Sequence, residues 1–365
     1  MRIIISGGGT GGHIYPALAI ADGLKNRYKD IEILYVGTKG SLEEELSTNA
    51  GYEFQSIHVK GMPRRFNKKS TVAVAELFRG LHDSRKILDK FKPDLVVGTG
   101  GYVCGPILYR AARSKIPTVI HEQNAFPGIT NKILSRFVDK VLITYEESRK
   151  YFTKCRDVSL TGNPIRQDIL LTDKQEARKE LGFDEKPLVL SFGGSGGQRS
   201  LNDSMLGVLK KIILENRINL IHVTGKSHYN SFFEKIEEEK IQIGDNVEII
   251  SYHHSMPLAI SAADIVITSG GAIALAEISA AGKPSILIPK AYTAENHQEF
   301  NARAFEDNGA AKLILEKELN PEILFESIMK LVFDDEKLNA MSKKSRELGN
   351  PGATILIIEE IDKLI

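Results

Sequence analysis

A glycine-rich run that ends in histidine is the first stretch whose residue types could do chemistry: Ser6-Gly7-Gly8-Gly9-Thr10-Gly11-Gly12-His13. The mostly apolar residues 1–5 before it are typical of a buried parallel strand, and residues 14–24 after it are typical of a helix. A glycine loop at a helix N-terminus presents backbone N–H groups and a positive dipole end to an anion. The imidazole of His13 adds a group that can accept a proton near neutral pH. The run therefore predicts an anion-binding loop with a candidate base beside it.

Other interpretations of this run fit less well. The G-x-G-x-x-G pattern of dinucleotide-binding loops is present, but five glycines in eight residues make that match nearly automatic, and the lysine of a P-loop is missing. An NAD-dependent dehydrogenase would need an acidic residue at the end of its second strand, where this chain has Val36-Gly37-Thr38. A tight turn capped by His13 would need only one or two glycines. Pro16 fits the first turn of the following helix.

The strand–loop–helix order repeats along the chain. Strands are predicted at residues 31–36, 54–59, 94–97, 118–122 and 141–145, and again at 188–192, 218–223, 247–250, 265–268 and 285–289. Turn residues at Gly162-Asn163-Pro164 indicate a domain junction. This alternation predicts an α/β fold with doubly wound parallel sheets, in which ligands bind outside the carboxyl ends of the strands. The glycine and polar loops should therefore converge there.

Composition limits the class of protein. A length of 365 residues favours two domains, and 42% hydrophobic with 26% charged residues is typical of a globular protein. A net charge of +1 gives no electrostatic reason to expect a nucleic-acid partner. Two cysteines, Cys104 and Cys155, favour a reducing compartment over a disulfide framework. No apolar run is long enough for a transmembrane helix, and no secretory leader is expected.

Taken together, the order and spacing of these motifs resemble the MurG family of peptidoglycan N-acetylglucosaminyltransferases, over essentially the whole chain. The resemblance implies the GT-B fold, with two Rossmann-like domains facing each other across a cleft. Residues 1–163 would bind the acceptor and a membrane, residues 164–344 would bind UDP-GlcNAc, and a C-terminal helix at about 345–365 would pack back on the first domain. The motifs that carry it are Gly8–His13, Gly98–Tyr102, His121–Asn124, Gly162–Arg166, Gly193–Ser195, Ser269–Glu277, and His297-Gln298 with Asn301.

The resemblance also implies an activity. The family transfers GlcNAc with inversion from UDP-GlcNAc to lipid I, undecaprenyl-pyrophosphoryl-MurNAc-pentapeptide, and forms lipid II with a β-1,4 bond. It needs no metal or other cofactor, and this sequence has no Asp-x-Asp motif in a suitable loop. The expected location is peripheral, on the cytoplasmic face of the bacterial plasma membrane at an anionic surface. Further expected partners are the cell-wall or division machinery.

Without a metal, the donor diphosphate depends on backbone N–H groups, hydroxyls and helix dipoles. Ser195 and the start of the helix after Gly271 can supply these groups. The resemblance matches Glu277 to a ribose-binding acid, although a solvated helix carboxylate is the alternative. A backbone group near His253 would contact uracil. The full set of expected donor contacts is Thr10, Gly11, Gly12, Asn124, Arg166, Ser195, His253, Gly271, Ala272, Ile273, Ala274, Glu277 and Gln298.

The residues expected to bind the acceptor and to act as the base have more than one possible role. Gly100, Gly101 and Tyr102 are the expected cradle for the acceptor pyrophosphate, and the 10–12 segment could serve either diphosphate. His13 is the preferred general base and Glu122 its rival. His13 could instead orient the loop or bind pyrophosphate, and Glu122 could be a structural carboxylate bonded to nearby N–H groups.

A basic and apolar segment is the expected membrane contact, because apolar anchors beside cations suit anionic headgroups. Its residues are Met62, Arg64, Arg65, Phe66, Lys68, Lys69 and Phe78. The leucines of the helix predicted at about 71–88 could equally belong to the core.

Two further functions compete with transfer. A UDP-GlcNAc 2-epimerase-like isomerase would share the donor site but would need neither a lipid acceptor nor a membrane segment. A subunit that only binds would carry one half of the fold, whereas both halves are present here.

Overall fold

The structure is a computed structural model that describes residues 1–61, 68–166, 168–194, 196–292 and 296–365. It divides into two compact units, which we call unit 1 (Met1–Ile165 with Gly352–Ile365) and unit 2 (Arg166–Pro351). The expected membrane residues Met62, Arg64, Arg65 and Phe66, the side chains of Lys68 and Lys69, and the expected donor residue Ser195 lie outside this description.

Unit 1 is built on a parallel sheet of seven strands in the order β3-β2-β1-β4-β5-β6-β7. The strands are β1 Arg2–Ser6, β2 Glu32–Gly37, β3 Glu53–Ser56, β4 Leu95–Gly98, β5 Thr118–Glu122, β6 Lys140–Ile143 and β7 Asp157–Leu160. The helices are α1 Gly11–Arg27, α2 Leu42–Asn49, α3 Lys68–Phe91, α4 Cys104–Arg113, α5 Ile129–Leu134 and a 3₁₀ helix, Glu146–Tyr151. Apolar clusters cover both faces of the sheet, which is why its central strands are almost continuously apolar.

Unit 2 repeats this plan with a parallel sheet of six strands in the order β10-β9-β8-β11-β12-β13. The strands are β8 Leu188–Phe192, β9 Asn219–Val223, β10 Val247–Ile250, β11 Ile265–Thr268, β12 Ser285–Leu287 and β13 Ala311–Leu313. The helices are α6 Asp168–Leu171, α7 Lys174–Glu180, α8 Arg199–Glu215, α9 Tyr229–Glu238, α10 Met256–Ala262, α11 Ala272–Ala280, α12 His297–Asp307, α13 Pro321–Val332 and α14 Asp335–Leu348.

The predicted α/β fold with doubly wound parallel sheets is confirmed, and several details differ. Pro16 lies in the second turn of α1 and not in the first, because the helix already begins at Gly11. The edge strands β7 and β13 were not predicted. Both are short, and only partly buried, so they lack the continuous apolar run that marks an inner strand. The sequence also predicts a charged helix at residues 172–181, which α7 confirms, whereas the short helix α6 before it was not predicted.

The last helix, α15 (Ala353–Asp362), belongs to unit 1 although it follows unit 2 in the chain. Its residues Ile357, Ile358 and Ile361 pack into the same core as Ile20 and Leu24 of α1. Lys140 of β6 is almost fully buried and pairs with Asp157 at 2.9 Å and with Glu360 of α15. None of the described helices is both long enough and apolar enough to cross a membrane.

Gly80 of α3 sets how closely this helix approaches the chain that follows β3. A Cβ atom at Gly80 would lie 2.2 Å from the carbonyl oxygen of His58, whereas a Cβ at Gly105 of the neighbouring α4 would meet its nearest atom at 3.8 Å. We expect Gly80→Ala to lower the free energy of unfolding by about 1–3 kcal/mol through steric overlap. Gly105→Ala should raise it by about 0.5–1 kcal/mol through helix propensity.

Urea denaturation of the two variants and the wild-type protein measures both effects. Equal shifts for Gly80→Ala and Gly105→Ala would contradict the close approach at Gly80.

Candidate functional site

Three loops of unit 1 meet because of strand register. Ser6 of β1 pairs with Gly98 of β4, and Gly98 pairs with Ile120 of β5. The loops that follow these strands therefore leave the same carboxyl edge of the sheet side by side. They carry the glycine run with His13, the Gly100-Gly101-Tyr102 segment, and Glu122 with Asn124.

The backbones of the first two loops approach so closely that only glycine fits. Gly101 has φ +80°, and a Cβ there would lie 2.1 Å from the carbonyl oxygen of Gly8. Gly100 has φ +106°, and its Cβ would lie 2.8 Å from Nδ1 of His13. The glycines thus seat the His13 ring directly on the backbone of the second loop.

The contacts of the His13 ring are made by Nδ1. This atom lies 3.0 Å from the carbonyl oxygen of Thr99 and 3.2 Å from Oε1 of Gln123. The hydroxyl of Thr99 donates in turn to the His13 carbonyl at 2.6 Å. The ring is half-buried, and its position is fixed by the loops after β4 and β5.

The side chain of Glu43, from α2, binds the backbone of the glycine loop, a contact that was not predicted from the sequence. Its buried carboxylate accepts a hydrogen bond from the N–H of Gly9 at 3.3 Å and from the N–H and hydroxyl of Thr38. An anion would be repelled from the Gly9 side of the loop. The start of α1, at residues 10–12, is the part that no described side chain caps, and it remains the better position for a phosphate.

Glu122 is fully buried and accepts four hydrogen bonds. Oε1 accepts from the N–H and the side-chain amide of Asn124, at 3.0 and 3.2 Å, and Oε2 accepts from the N–H of Gly128 at 3.1 Å and from Nδ2 of Asn131 at 2.9 Å. Lys132 adds to this by lying over the Phe126 ring at 3.7 Å. These contacts order the loop and fix Asn124 at its start.

His121 is fully buried beside this loop. Its Nε2 lies 2.8 Å from the carbonyl oxygen of Gly162, and Nδ1 lies 3.2 Å from Nε2 of Gln123. Burial lowers the pKa of His121 to about 4, because the charged imidazolium loses its hydration. The imidazole is therefore neutral around pH 7.

This shift makes stability depend on pH. In the unfolded chain histidine binds a proton below about pH 6.5, whereas folded His121 does so only near pH 4. The unfolded state thus binds more protons between these values, so the free energy of unfolding should fall by about 3 kcal/mol as the pH drops from 6.5 to 4. His222 of β9, whose pKa burial lowers to about 3, adds to the fall in unit 2.

The measurement is the urea midpoint against pH for the wild-type protein and for His121→Asn, which removes one of the histidines with a lowered pKa. The slope between pH 6.5 and 4 should be smaller in the variant. Identical slopes would mean that His121 does not contribute.

In unit 2 the corresponding edge is formed by β8, β11 and β12. Thr268 of β11 pairs with Phe192 and with Leu287, so the chain after β8, at Gly193, and the Ser269–Gly271 segment leave the sheet together. Gly271 caps α11 without a described side-chain bond. The N–H groups of Ala272, Ile273 and Ala274 therefore stand at the positive end of that helix.

Gln298 and Lys290 complete this edge. A Cβ at Gly270, which has φ +77°, would lie 3.1 Å from the carbonyl oxygen of Gln298, and the N–H of Lys290 donates to Oε1 of Gln298 at 3.1 Å. Nζ of Lys290 donates to the Gly197 carbonyl at 2.7 Å, and burial lowers the pKa of this lysine. The sequence analysis missed Lys290, since a lysine in a loop is normally solvated.

Arg166 and Glu277 form a bidentate ion pair. The guanidinium donates from Nε and Nη2 to the two carboxylate oxygens at 2.6 and 2.7 Å. The Glu277 side chain is only 4% exposed, so the alternative of a solvated helix carboxylate is wrong. Because Arg166 follows β7 in sequence and Glu277 lies on α11, only the fold brings them together.

His253 follows β10 and is half-buried, and burial lowers its pKa. Its Nδ1 is buried and has no hydrogen-bond partner within the described part of the chain. Residues 252–254 thus provide backbone and imidazole groups at the outer side of the same strand edge.

The described part of the expected membrane segment is the helix α3. Phe78 is 68% exposed, and Val72, Val74 and Leu77 are also exposed on this helix. Among the described residues of unit 1, further large apolar side chains are exposed near α5, at Ile129, Ile133 and Phe137. The alternative that the leucines of this helix belong to the core holds for Leu88, which is buried, but not for Leu77, which is exposed.

Comparison with known proteins gives a consistent result. Residues 3–143 match the glycosyltransferase family 28 N-terminal domain, and residues 188–354 match the glycosyltransferase family 28 C-terminal domain. A Clostridioides difficile protein is 49% identical over all of this chain and 89% of its own length. It carries the name UDP-N-acetylglucosamine–N-acetylmuramyl-(pentapeptide) pyrophosphoryl-undecaprenol N-acetylglucosamine transferase.

Solved structures agree on the fold. The crystal structure of Acinetobacter baumannii MurG has a TM-score of 0.72 and 26% identity, and the match covers 99% of each chain. The UDP-GlcNAc 2-epimerase from Neisseria meningitidis has a TM-score of 0.70 over the full length of both chains, but at 15% identity it shows the fold alone. The chain therefore belongs to glycosyltransferase family 28, and within it to the MurG family of N-acetylglucosamine transferases.

Proposed function

We propose that the protein transfers N-acetylglucosamine from UDP-GlcNAc to lipid I and so forms lipid II for peptidoglycan synthesis. The observation that carries this proposal is the 49% identity, over the whole chain, to a relative that is named for this donor, this acceptor and this transfer. The two glycine loops that open helices α1 and α11, one in each unit, support the binding of two diphosphate substrates.

Unit 2 binds the donor in this proposal. The start of α11, from Gly271 to Ala274, and the glycine loop after β8 with Ser195 hold the diphosphate. Lys290 adds a positive charge at the same loop. Glu277, aligned by Arg166, accepts hydrogen bonds from the ribose hydroxyls, and the backbone at His253 contacts uracil. Gln298 contacts the sugar.

Unit 1 binds the acceptor. The acceptor pyrophosphate is held by two loops that leave the same edge of the sheet. The first contributes the N–H groups of Thr10, Gly11 and Gly12, and the second contributes the segment Gly100-Gly101-Tyr102. We assign residues 10–12 to this role because the N–H of Gly9, on the other side of the loop, already donates to the carboxylate of Glu43. Asn124, fixed by Glu122, aligns the sugar that reacts.

His13 is the general base in this account. The 4-hydroxyl of the MurNAc sugar attacks C1 of GlcNAc while the bond from C1 to the β-phosphate oxygen breaks. UDP leaves with the bonding electrons, the hydroxyl proton moves to Nε2 of His13, and the new bond has the β-1,4 configuration. Glu122 is assigned a positioning role, because three of its four hydrogen bonds come from the loop that carries Asn124 and the fourth comes from Asn131 of α5.

The lipid tail of the acceptor requires the protein to reach a membrane surface. We propose peripheral docking on the cytoplasmic face through α3 and the basic segment before it, with any cell-wall or division partners assembling there. Phe78→Asp, and reversal of the charges at Arg64, Arg65, Lys68 and Lys69, should each reduce binding to anionic phosphatidylglycerol vesicles at least tenfold. Each cation is worth about 1 kcal/mol near such a surface.

Sedimentation with vesicles measures this binding. Leu214→Asp is the matched control, because it changes an exposed leucine of unit 2. Unchanged sedimentation of both docking variants would refute the membrane assignment without touching the chemistry.

The transfer itself is tested with labelled UDP-GlcNAc and a short-chain lipid I analogue, with and without a chelator. Label in the lipid product under both conditions supports metal-independent transfer. An epimer formed without acceptor would favour the isomerase alternative.

A further inference from the structure

Gln123 is the residue through which the loops around His13 are joined. It is 1% exposed, and its side-chain nitrogen lies 2.7 Å from the carbonyl oxygen of Thr99 and 3.2 Å from both Nδ1 and the carbonyl oxygen of His121. Its side-chain oxygen lies 3.2 Å from Nδ1 of His13. The segment that leads to unit 2 also reaches it, because Nδ2 of Asn163 donates to its backbone carbonyl at 3.2 Å.

Donors and acceptors in the hydrogen bonds that link His121, Gln123 and His13 follow from the groups that can only accept. A backbone carbonyl only accepts, so Nε2 of His121, which faces the Gly162 carbonyl, carries its proton. Nδ1 of His121 is then an acceptor, and burial keeps this ring neutral by lowering its pKa to about 4.

The amide of Gln123 has one orientation as a result. Its NH₂ group must face the Thr99 carbonyl and the acceptors of His121, since a flipped amide would place its oxygen against three acceptors. The side-chain oxygen therefore faces His13. Nδ1 of His13 then meets two acceptors, this oxygen and the Thr99 carbonyl, and an unprotonated Nδ1 would be repelled by both.

We infer that Gln123, held in one orientation by neutral His121, is a positioning residue that keeps the proton of His13 on Nδ1 and so leaves Nε2 as the basic nitrogen. This inference rests on the proposed function, in which Nε2 accepts the hydroxyl proton. The tautomer itself is a property of the free protein and does not depend on that activity.

The tautomer is measured directly by long-range ¹H–¹⁵N correlation NMR on protein labelled at its nine histidines, at a pH where a free imidazole is neutral. His13→Ala assigns the signal. We expect the Nδ1–H form in the wild-type protein. Gln123→Met should show a substantial Nε2–H population, because one of the two acceptors is lost.

Kinetics provide the second readout. Gln123→Met should lose about tenfold in kcat, the order of one buried hydrogen bond, with the KM for UDP-GlcNAc changed less than twofold. Asn246→Ala is the control for loss of a buried amide. Asn246 lies in unit 2, where it donates to the Ile218 carbonyl at the amino-terminal end of β9. This variant should lower stability and leave both the His13 tautomer and kcat unchanged.

The outcomes of these experiments distinguish the role of Gln123 in fixing the His13 tautomer from the role of His13 as the general base. An Nε2–H form in the wild-type protein, or a wild-type tautomer and kcat in Gln123→Met, overturns the inference. Full turnover in His13→Ala would instead refute the base, while the NMR result would still decide the tautomer.

Discussion

Replacing His13 with alanine should reduce kcat for GlcNAc transfer by about 10²- to 10⁴-fold, the usual contribution of a general base. The affinity for UDP should stay within about twofold, because the proposed donor site lies in unit 2. The measurements are steady-state transfer with a short-chain lipid I analogue and calorimetric titration with UDP.

Glu122→Gln is the informative comparison. Since the buried carboxylate of Glu122 accepts four hydrogen bonds from its own loop and from Asn131 of α5, this variant should lower the melting temperature along with kcat. The assignment fails if His13→Ala keeps near-normal turnover. It also fails if Glu122→Gln abolishes turnover without lowering the melting temperature, since Glu122 would then be the better base.

Replacing Glu277 with alanine should be the most damaging change in unit 2. It leaves the guanidinium of Arg166 without its bidentate partner, and breaking a largely buried pair costs about 3–5 kcal/mol. We expect the free energy of unfolding of unit 2 to fall by about 3 kcal/mol and the Kd for UDP to rise at least tenfold. Glu326→Ala is the control, because Glu326 pairs with Lys330 on the surface, where the effect should stay within about 0.5 kcal/mol.

A ligand cycle separates the ribose contact from this structural loss. UDP should bind the wild-type protein more tightly than 2′,3′-dideoxy-UDP, and Glu277→Gln should bind the two ligands nearly equally. If the variant still prefers UDP as strongly as the wild-type protein does, Glu277 does not contact the ribose hydroxyls and only holds Arg166.

The inner strands and the glycine loops could be predicted from sequence because their signals are local. β8 and β11 read as apolar runs, and the helix after Gly271 ends near Gly282 in the left-handed conformation that glycine allows. The edge strands β7 and β13 have no such signal, since a half-exposed strand of three or four residues resembles a loop.

The partners of the buried polar groups could not be predicted. Glu43 reaches Gly9 from α2, and Lys290 reaches Gly197 across the sheet edge of unit 2. The bonds of Gln123 to His13 and Thr99 likewise join residues far apart in sequence. Such pairs depend on strand order and register, which residue types in sequence order do not specify. This is why the sequence identified His13 and Glu122 as rivals but could not show that the Glu122 carboxylate accepts four hydrogen bonds from its own loop and from Asn131 of α5.

The most direct test of the central claim is the configuration and linkage of the product formed from UDP-GlcNAc and a short-chain lipid I analogue. Proton NMR of the purified product reads the coupling of the new anomeric proton and its correlation to the acceptor carbon. The account predicts the large coupling of a β-glycoside joined to the 4-position of the MurNAc sugar, formed only when acceptor is present. An α-linked product, or conversion of UDP-GlcNAc to an epimer in the absence of acceptor, would contradict it.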